Sequence, residues 1–217
     1  MIKRITLKHQ AYDYLYHAVL KGEILSTQVY SEQYFADLLG ISRTPVREAV
    51  MQLAQEGFLQ VYPNKGFSVK KVKAEEVEDL FGYRAALESY CACMAARNAT
   101  SSRSKALVQK LKKHNQAQKE SFEKDEPVEQ WMVHDFAFHQ AIIDYLHNRQ
   151  ISDSMGRLRA RINLLGIRSL YREGRTMRVL EEHQAIIDAI SMGRVEDVVE
   201  SFARHFDRCK HILAEEH

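Results

Sequence analysis

Two sets of residues have types and spacings that could do chemistry. The first is Arg43, Thr44 and Arg47, with two guanidinium groups at i and i+4. On a helix that spacing brings both cations to one side, where they can reach guanine edges and phosphates together. A threonine hydroxyl and the unpaired amides of a helix's first turn add phosphate donors. The second set is Asp135, His139, His183 and His205. Asp135 and His139 are also i and i+4, His183 sits among Val179, Ile186, Ile187 and Ile190, and His205 among Val198, Phe202 and Cys209. One carboxylate and three imidazoles are thereby directed toward a common apolar interior. Such a set suits a divalent transition metal (Zn, Ni, Mn or Fe) and argues against Ca or Mg, which prefer oxygen ligands.

Each set also has a plainer reading. Helical arginines are commonly a solvated face, and a lone histidine on an apolar stripe is commonly a hydrogen-bonded core residue. Three such histidines and an aspartate would each need a buried partner, a demand that one cation meets at once. Arg84 and Glu88 interrupt the stripe set by Val77, Phe81, Cys91 and Ala95. They form either a buried i, i+4 ion pair or, if Arg84 faces a cavity, a receptor for a small carboxylate. Arg161, at the edge of the Leu158, Ile162, Leu165 stripe, is a further pocket candidate. His134 and His147 miss the stripe.

The elements that must position these groups are mainly helical. Three prolines and nine glycines are too few breakers for a many-stranded sandwich or barrel. Helical spacing predicts a first helix over 8–21 stopped by Gly22, a second from Ser31 through Tyr34, Phe35, Leu38 and Leu39 to Gly40, and a third capped by Ser42 and closed by Gly57. Val46, Ala49 and Leu53 take the core side of that third helix. Strands over 59–62 and 67–72 flank Pro63-Asn64-Lys65-Gly66, which completes a winged helix-turn-helix. Lys65 and Gly66 give its tip a cation and an unhindered backbone. Beyond Lys73 only helical patterns remain, near 74–98, 101–122, 128–145, 149–171, 176–191 and 195–215. The fold class is mainly α: a winged helix-turn-helix domain over 1–72, then an all-helical bundle over 73–217 of six or seven members.

Composition limits the function classes. Hydrophobic residues make up 45% of the 217 and charged residues 28%, a globular balance. No apolar run approaches a membrane span and the N-terminus lacks a signal-peptide core, so the expected location is cytoplasmic. Three cysteines do not suggest a disulfide framework. Residues 1–72 hold nine basic and six acidic side chains, against 22 and 23 in the remainder. Neither balance alone declares nucleic-acid binding.

Ser31-Glu32-Gln33, the run from Leu38 to Val50, Leu53 and Glu56-Gly57-Phe58-Leu59 resemble the N-terminal domain of GntR-type transcriptional regulators, as does the Pro63–Phe67 wing. The resemblance implies operator contacts by Arg43, Thr44 and Arg47, with Gly66 entering the minor groove. Gln33 stands where the family often has a further DNA-contacting arginine. The Asp135, His139, His183, His205 set, with Ala185-Ile186-Ile187-Asp188-Ala189-Ile190 after it, is similar to the all-helical FCD domain of the FadR-type branch. That implies a metal-containing effector domain within a homodimer, with Arg84 in the pocket and an organic acid as effector. The expected function is a DNA-binding regulator, most simply a repressor, on a near-palindromic duplex operator. Two alternatives stand beside it: a metal-dependent hydrolytic enzyme fused to a DNA-binding domain, and a regulator whose metal is structural, with no effector.

Overall fold

The structure, a computed structural model, describes residues 6–20, 23–71, 73–170, 172 and 174–214. The chain divides into two compact units, Met1–Val72 and Lys73–His217.

In the first unit, α1 (Leu7–Leu20) turns Ala11, Leu15, Ala18 and Val19 inward. They pack with Val46, Ala49, Val50 and Leu53 of α3 (Arg43–Gln55). Between these helices lies α2 (Glu32–Leu39), whose N-cap Ser31 accepts a hydrogen bond from the Tyr34 amide at 3.1 Å. Gly40 ends α2 at φ 65°, a left-handed conformation that glycine adopts without steric cost, and its amide returns to the Ala36 and Asp37 carbonyls. Ser42 stands at the N-cap of α3 in extended conformation, but its side chain makes no capping hydrogen bond. The cap expected of it is therefore positional only.

Burial on α2 differs from the expected stripe. Phe35, Ala36 and Glu32 are buried, whereas Tyr34 and Leu38 are 56% and 52% exposed. Two helical turns present only a narrow stripe to the core, and the Phe35 ring fills it together with Phe67 at 5.5 Å. The strands β1 (Leu59–Tyr62) and β2 (Gly66–Val69) pair antiparallel, from Leu59 opposite Val69 to Tyr62 opposite Gly66. The second strand ends at Val69, short of the expected 72, and one further bond in the same register joins the Lys70 amide to the Phe58 carbonyl at 2.9 Å. Tyr30 adds an isolated bridge to Phe67, with amide-to-carbonyl bonds of 2.7 and 2.9 Å.

The second unit contains six helices among the described residues: α4 (Ala74–Arg97), α5 (Ser102–Glu123), α6 (Val128–Asp144), α7 (Arg149–Leu170), α8 (Arg175–Ser191) and α9 (Val195–Ala214). Ser101 caps α5 through the Ser104 amide at 3.1 Å, Pro127 precedes α6, and Gly193 separates α8 from α9. The predicted stripes of α4, α8 and α9 are buried, as are Trp131, Phe138 and Ile142 of α6. The expected stop at Gly22, the boundary residue Val72 and the helix ends at Tyr171 and Glu215 lie outside the described residues. Cys91, Cys93 and Cys209 are free thiols. Among the described residues, no helix is long and apolar enough to cross a membrane.

Candidate metal centre and nucleic-acid interface

His139 on α6, His183 on α8 and His205 on α9 project from three helices into one interior. Each offers a ligand atom, and the three atoms lie within 4.8 Å of one another with every ring buried. The Nδ1 side of each ring is already committed. His139 Nδ1 meets Glu88 Oε2 at 2.6 Å, His205 Nδ1 meets Glu182 Oε2 at 2.7 Å, and His183 Nδ1 meets Gln118 Oε1 at 3.0 Å. An oxygen at Nδ1 fixes the proton there and leaves the Nε2 lone pair free for a metal. The Nε2 atoms of His139 and His183 are buried without any hydrogen-bond partner. Two orphaned buried acceptors in one cluster are what a bound cation would satisfy.

Asp135 completes the set more loosely. Its Oδ2 stands 4.0 Å from His139 Nε2 and its Oδ1 3.7 Å from His183 Nε2, while Gln118 Nε2 donates to the same Oδ1 at 3.3 Å. The donor set of three imidazoles and one carboxylate fits a divalent transition metal.

Electrostatics favour ligation over protonation. Burial, followed by the positive charges of neighbouring rings and arginines, holds the His183 pKa well below its ordinary value. Burial also lowers that of His205, against the opposing pull of Glu182. Neutral imidazoles are the ligating form. Burial opposes the charge on Glu88, yet Arg84 and His139 outweigh it and hold the carboxyl at about 2. Glu182 is likewise held at about 2, with His205 and Arg175 overcoming its burial.

Arg84 makes the ion pair with Glu88 at 2.7 Å and lies over the Phe206 ring at 4.6 Å. It also lines two small cavities beside the histidines, of about 30 and 20 Å³. Arg161 does not line them. Its guanidinium turns to Glu76 at 3.3 Å in a half-exposed position, because the stripe edge on α7 points along the surface. Asn163, two residues on, faces the larger cavity instead. His134 is half-buried against the His114 ring, and His147 is exposed.

In the first unit, Arg43, Thr44 and Arg47 are exposed on α3, with Met51 on the same side. Arg43 Nε is held by Glu32 Oε2 at 2.8 Å, and Gln33 Nε2 donates to Asp37 at 2.7 Å. Glu32, Gln33, Arg43, Arg47 and Met51 line an open groove of about 400 Å³ whose far wall is the hairpin tip with Lys65 and Gly66, and Thr44 lies outside it. Gly66 has φ 122°, and a Cβ there would overlap the Tyr30 carbonyl. Its first demand is thus backbone packing, in addition to leaving the tip bare.

A family model described as bacterial regulatory proteins, gntR family, matches residues 7–69, and the FCD domain model matches residues 79–208. The chain is a GntR-family regulator with an FCD domain. Similar relatives include an uncharacterized HTH-type transcriptional regulator, YdhC, of Bacillus subtilis, 24% identical and covering 95% of this chain and 92% of that one. The HTH-type transcriptional repressor RspR of Escherichia coli is 25% identical over 81% of this chain and 75% of its own. Among solved structures, E. coli McbR/YncC superposes with a TM-score of 0.60 at 23% identity, covering 98% of this chain and 99% of that one. A GntR regulator from Rhodococcus sp. RHA1 superposes with 0.65 at 17%, covering 97% and 98%. At these identities the superpositions speak for the fold.

The domains and relatives make this GntR–FCD protein a transcription regulator and not an enzyme. The reading of its bundle as a hydrolase falls with that. In the FCD domain, Glu182, Gln118 and Asn163 were missed at the level of sequence. Glu182 and Gln118 are polar residues on buried helix faces, a signal that marks burial without naming a partner.

Proposed function

We propose that this GntR–FCD regulator acts in the cytoplasm as a homodimeric repressor whose affinity for a near-palindromic operator is set by a small organic acid bound beside a metal. The observation that carries the reading is the pair of buried, partnerless Nε2 atoms of His139 and His183, with the Asp135 carboxylate beside them and His205 in the same cluster. Those four residues would hold a divalent transition metal, which when bound supplies a charge that attracts a carboxylate. Arg84, on the wall of both cavities, would receive part of the same anion.

Exposure of Arg43, Thr44 and Arg47 supports base and phosphate contacts from α3, with Gln33 beside them and Lys65 and Gly66 reaching the adjoining groove. Tyr83 and Tyr90, a heptad apart on α4 and 40% and 52% exposed, support a second copy covering that face. Repression is supported by the similarity to RspR, a transcriptional repressor. For an acid to control binding, it must favour one arrangement of the paired DNA-binding units over another.

Arg43→Ala with Arg47→Ala abolishes operator binding at physiological salt while metal content, read by elemental analysis, stays at the wild-type level. Retained binding would remove the DNA reading. The small size of the two cavities favours a second reading in which the metal is structural alone. A thermal-shift series with carboxylates separates them, because an effector raises Tm with concentration.

A further inference from the structure

Two cavities flank the histidine cluster and share part of their lining. Asn163 lines the larger and Trp131 the smaller, while Arg84, Met132, Asp135, His139 and Gly166 line both. Of those five, Arg84 and His139 are tied to Glu88, and Asp135 accepts from Gln118. Gly166 has no side chain. Met132 is left as the shared wall with no polar tether, an unbranched thioether with three side-chain rotors.

Gly166 lies in the interior of α7, where glycine weakens a helix relative to alanine. What it supplies is space, since a Cβ there would stand 3.1 Å from Met132 Cε and 3.8 Å from its sulfur. Gly156 on the same helix meets nothing within 4 Å, so close approach is particular to the Met132 position. Each cavity also carries an unsatisfied group. Asn163 Oδ1 on the larger and the Trp131 indole N–H on the smaller are buried without partners.

We propose that Met132, resting against Gly166, is the partition that sets the length of the acid this domain accepts. With Met132 in place, cavities of about 30 and 20 Å³ hold a water or two each, so that a short carboxylate such as acetate is the least hindered. With it displaced, the cavities become one chamber and a longer straight-chain acid fits. The inference rests on the carboxylate reading given above and specifies the residue that limits chain length.

Full-length protein as purified, its metal content checked by elemental analysis, is titrated with acetate, butyrate and hexanoate by calorimetry. Wild-type protein binds acetate at least tenfold more tightly than hexanoate. Met132→Ala narrows or inverts that ratio by tenfold or more, about fourfold for each methylene newly buried. Gly166→Ala drives Met132 into the cavities and weakens acetate severalfold with metal content unchanged. Should Met132→Ala fail to fold, Met132→Val and Gly166→Ala carry the same test. An acetate-to-hexanoate ratio within twofold of wild type in the Met132 variants, or wild-type binding of both acids with equal affinity, overturns the partition and leaves the carboxylate reading standing. Binding of none of the three acids to wild-type protein defeats both.

Discussion

Each histidine of the cluster is aimed by an oxygen at its Nδ1, and those oxygens come from Glu88, Glu182 and Gln118 on three different helices. Removing one ring therefore removes a ligand and orphans a buried acceptor behind it. His183→Ala should lose most bound metal by elemental analysis, and Gln118→Ala, which keeps the ring but frees its orientation, should weaken metal binding by roughly 10- to 100-fold in a chelator competition. The other residue-scale feature is Tyr12, whose hydroxyl donates to Glu56 at 2.6 Å. Burial, with the Glu56 carboxylate adding to it, raises the phenol's pKa above its ordinary 10.0. A raised pKa contributes stability that is full below the unfolded value and is lost as pH climbs above it. Tyr12→Phe should thus cost about 1 kcal/mol at pH 8 and measurably less at pH 10.5 in urea denaturation. The convergence of the three histidines was legible because imidazoles on apolar stripes are chemically costly. Their partners were not, since pairing across helices depends on axial offset, which periodicity in one helix does not encode. Arg161 illustrates the same limit: a stripe edge can face inward or along the surface, and here it meets Glu76.

At the scale of elements, amphipathic period and caps made the helix boundaries readable, and α4 through α9 lie within a few residues of the expected runs. Short elements were read less well. On α2, Tyr34 and Leu38 are exposed because packing, not residue type, decides which of several apolar positions reaches a small core. The wing shows how backbone geometry adds a demand that composition hides. Gly66 combines φ 122° with a Tyr30 carbonyl in the space of a side chain. Gly66→Ala should open the Tyr30–Phe67 bridge at a cost of about 2 kcal/mol. Amide exchange at Tyr30 and Phe67 should accelerate roughly thirtyfold, with metal content unaffected.

Across the whole molecule, DNA affinity divides into positioning and reading. On the proposed DNA-binding reading, Lys65, exposed at the hairpin tip, would contribute to the first kind. Lys65→Ala should weaken binding about equally on every duplex and reduce the slope of log affinity against log salt by about 1. Arg47→Ala should instead relax base preference at one position of each half-site, measured by competition among operator variants. The bridge from Tyr30 to Phe67 has a calorimetric corollary. Two strong amide bonds already join the hairpin to the residues that lead into α2. On the proposed reading, the hairpin and the start of α2 meet the duplex already joined, so association should show the modest heat-capacity change of a preformed surface and not the large one of coupled folding.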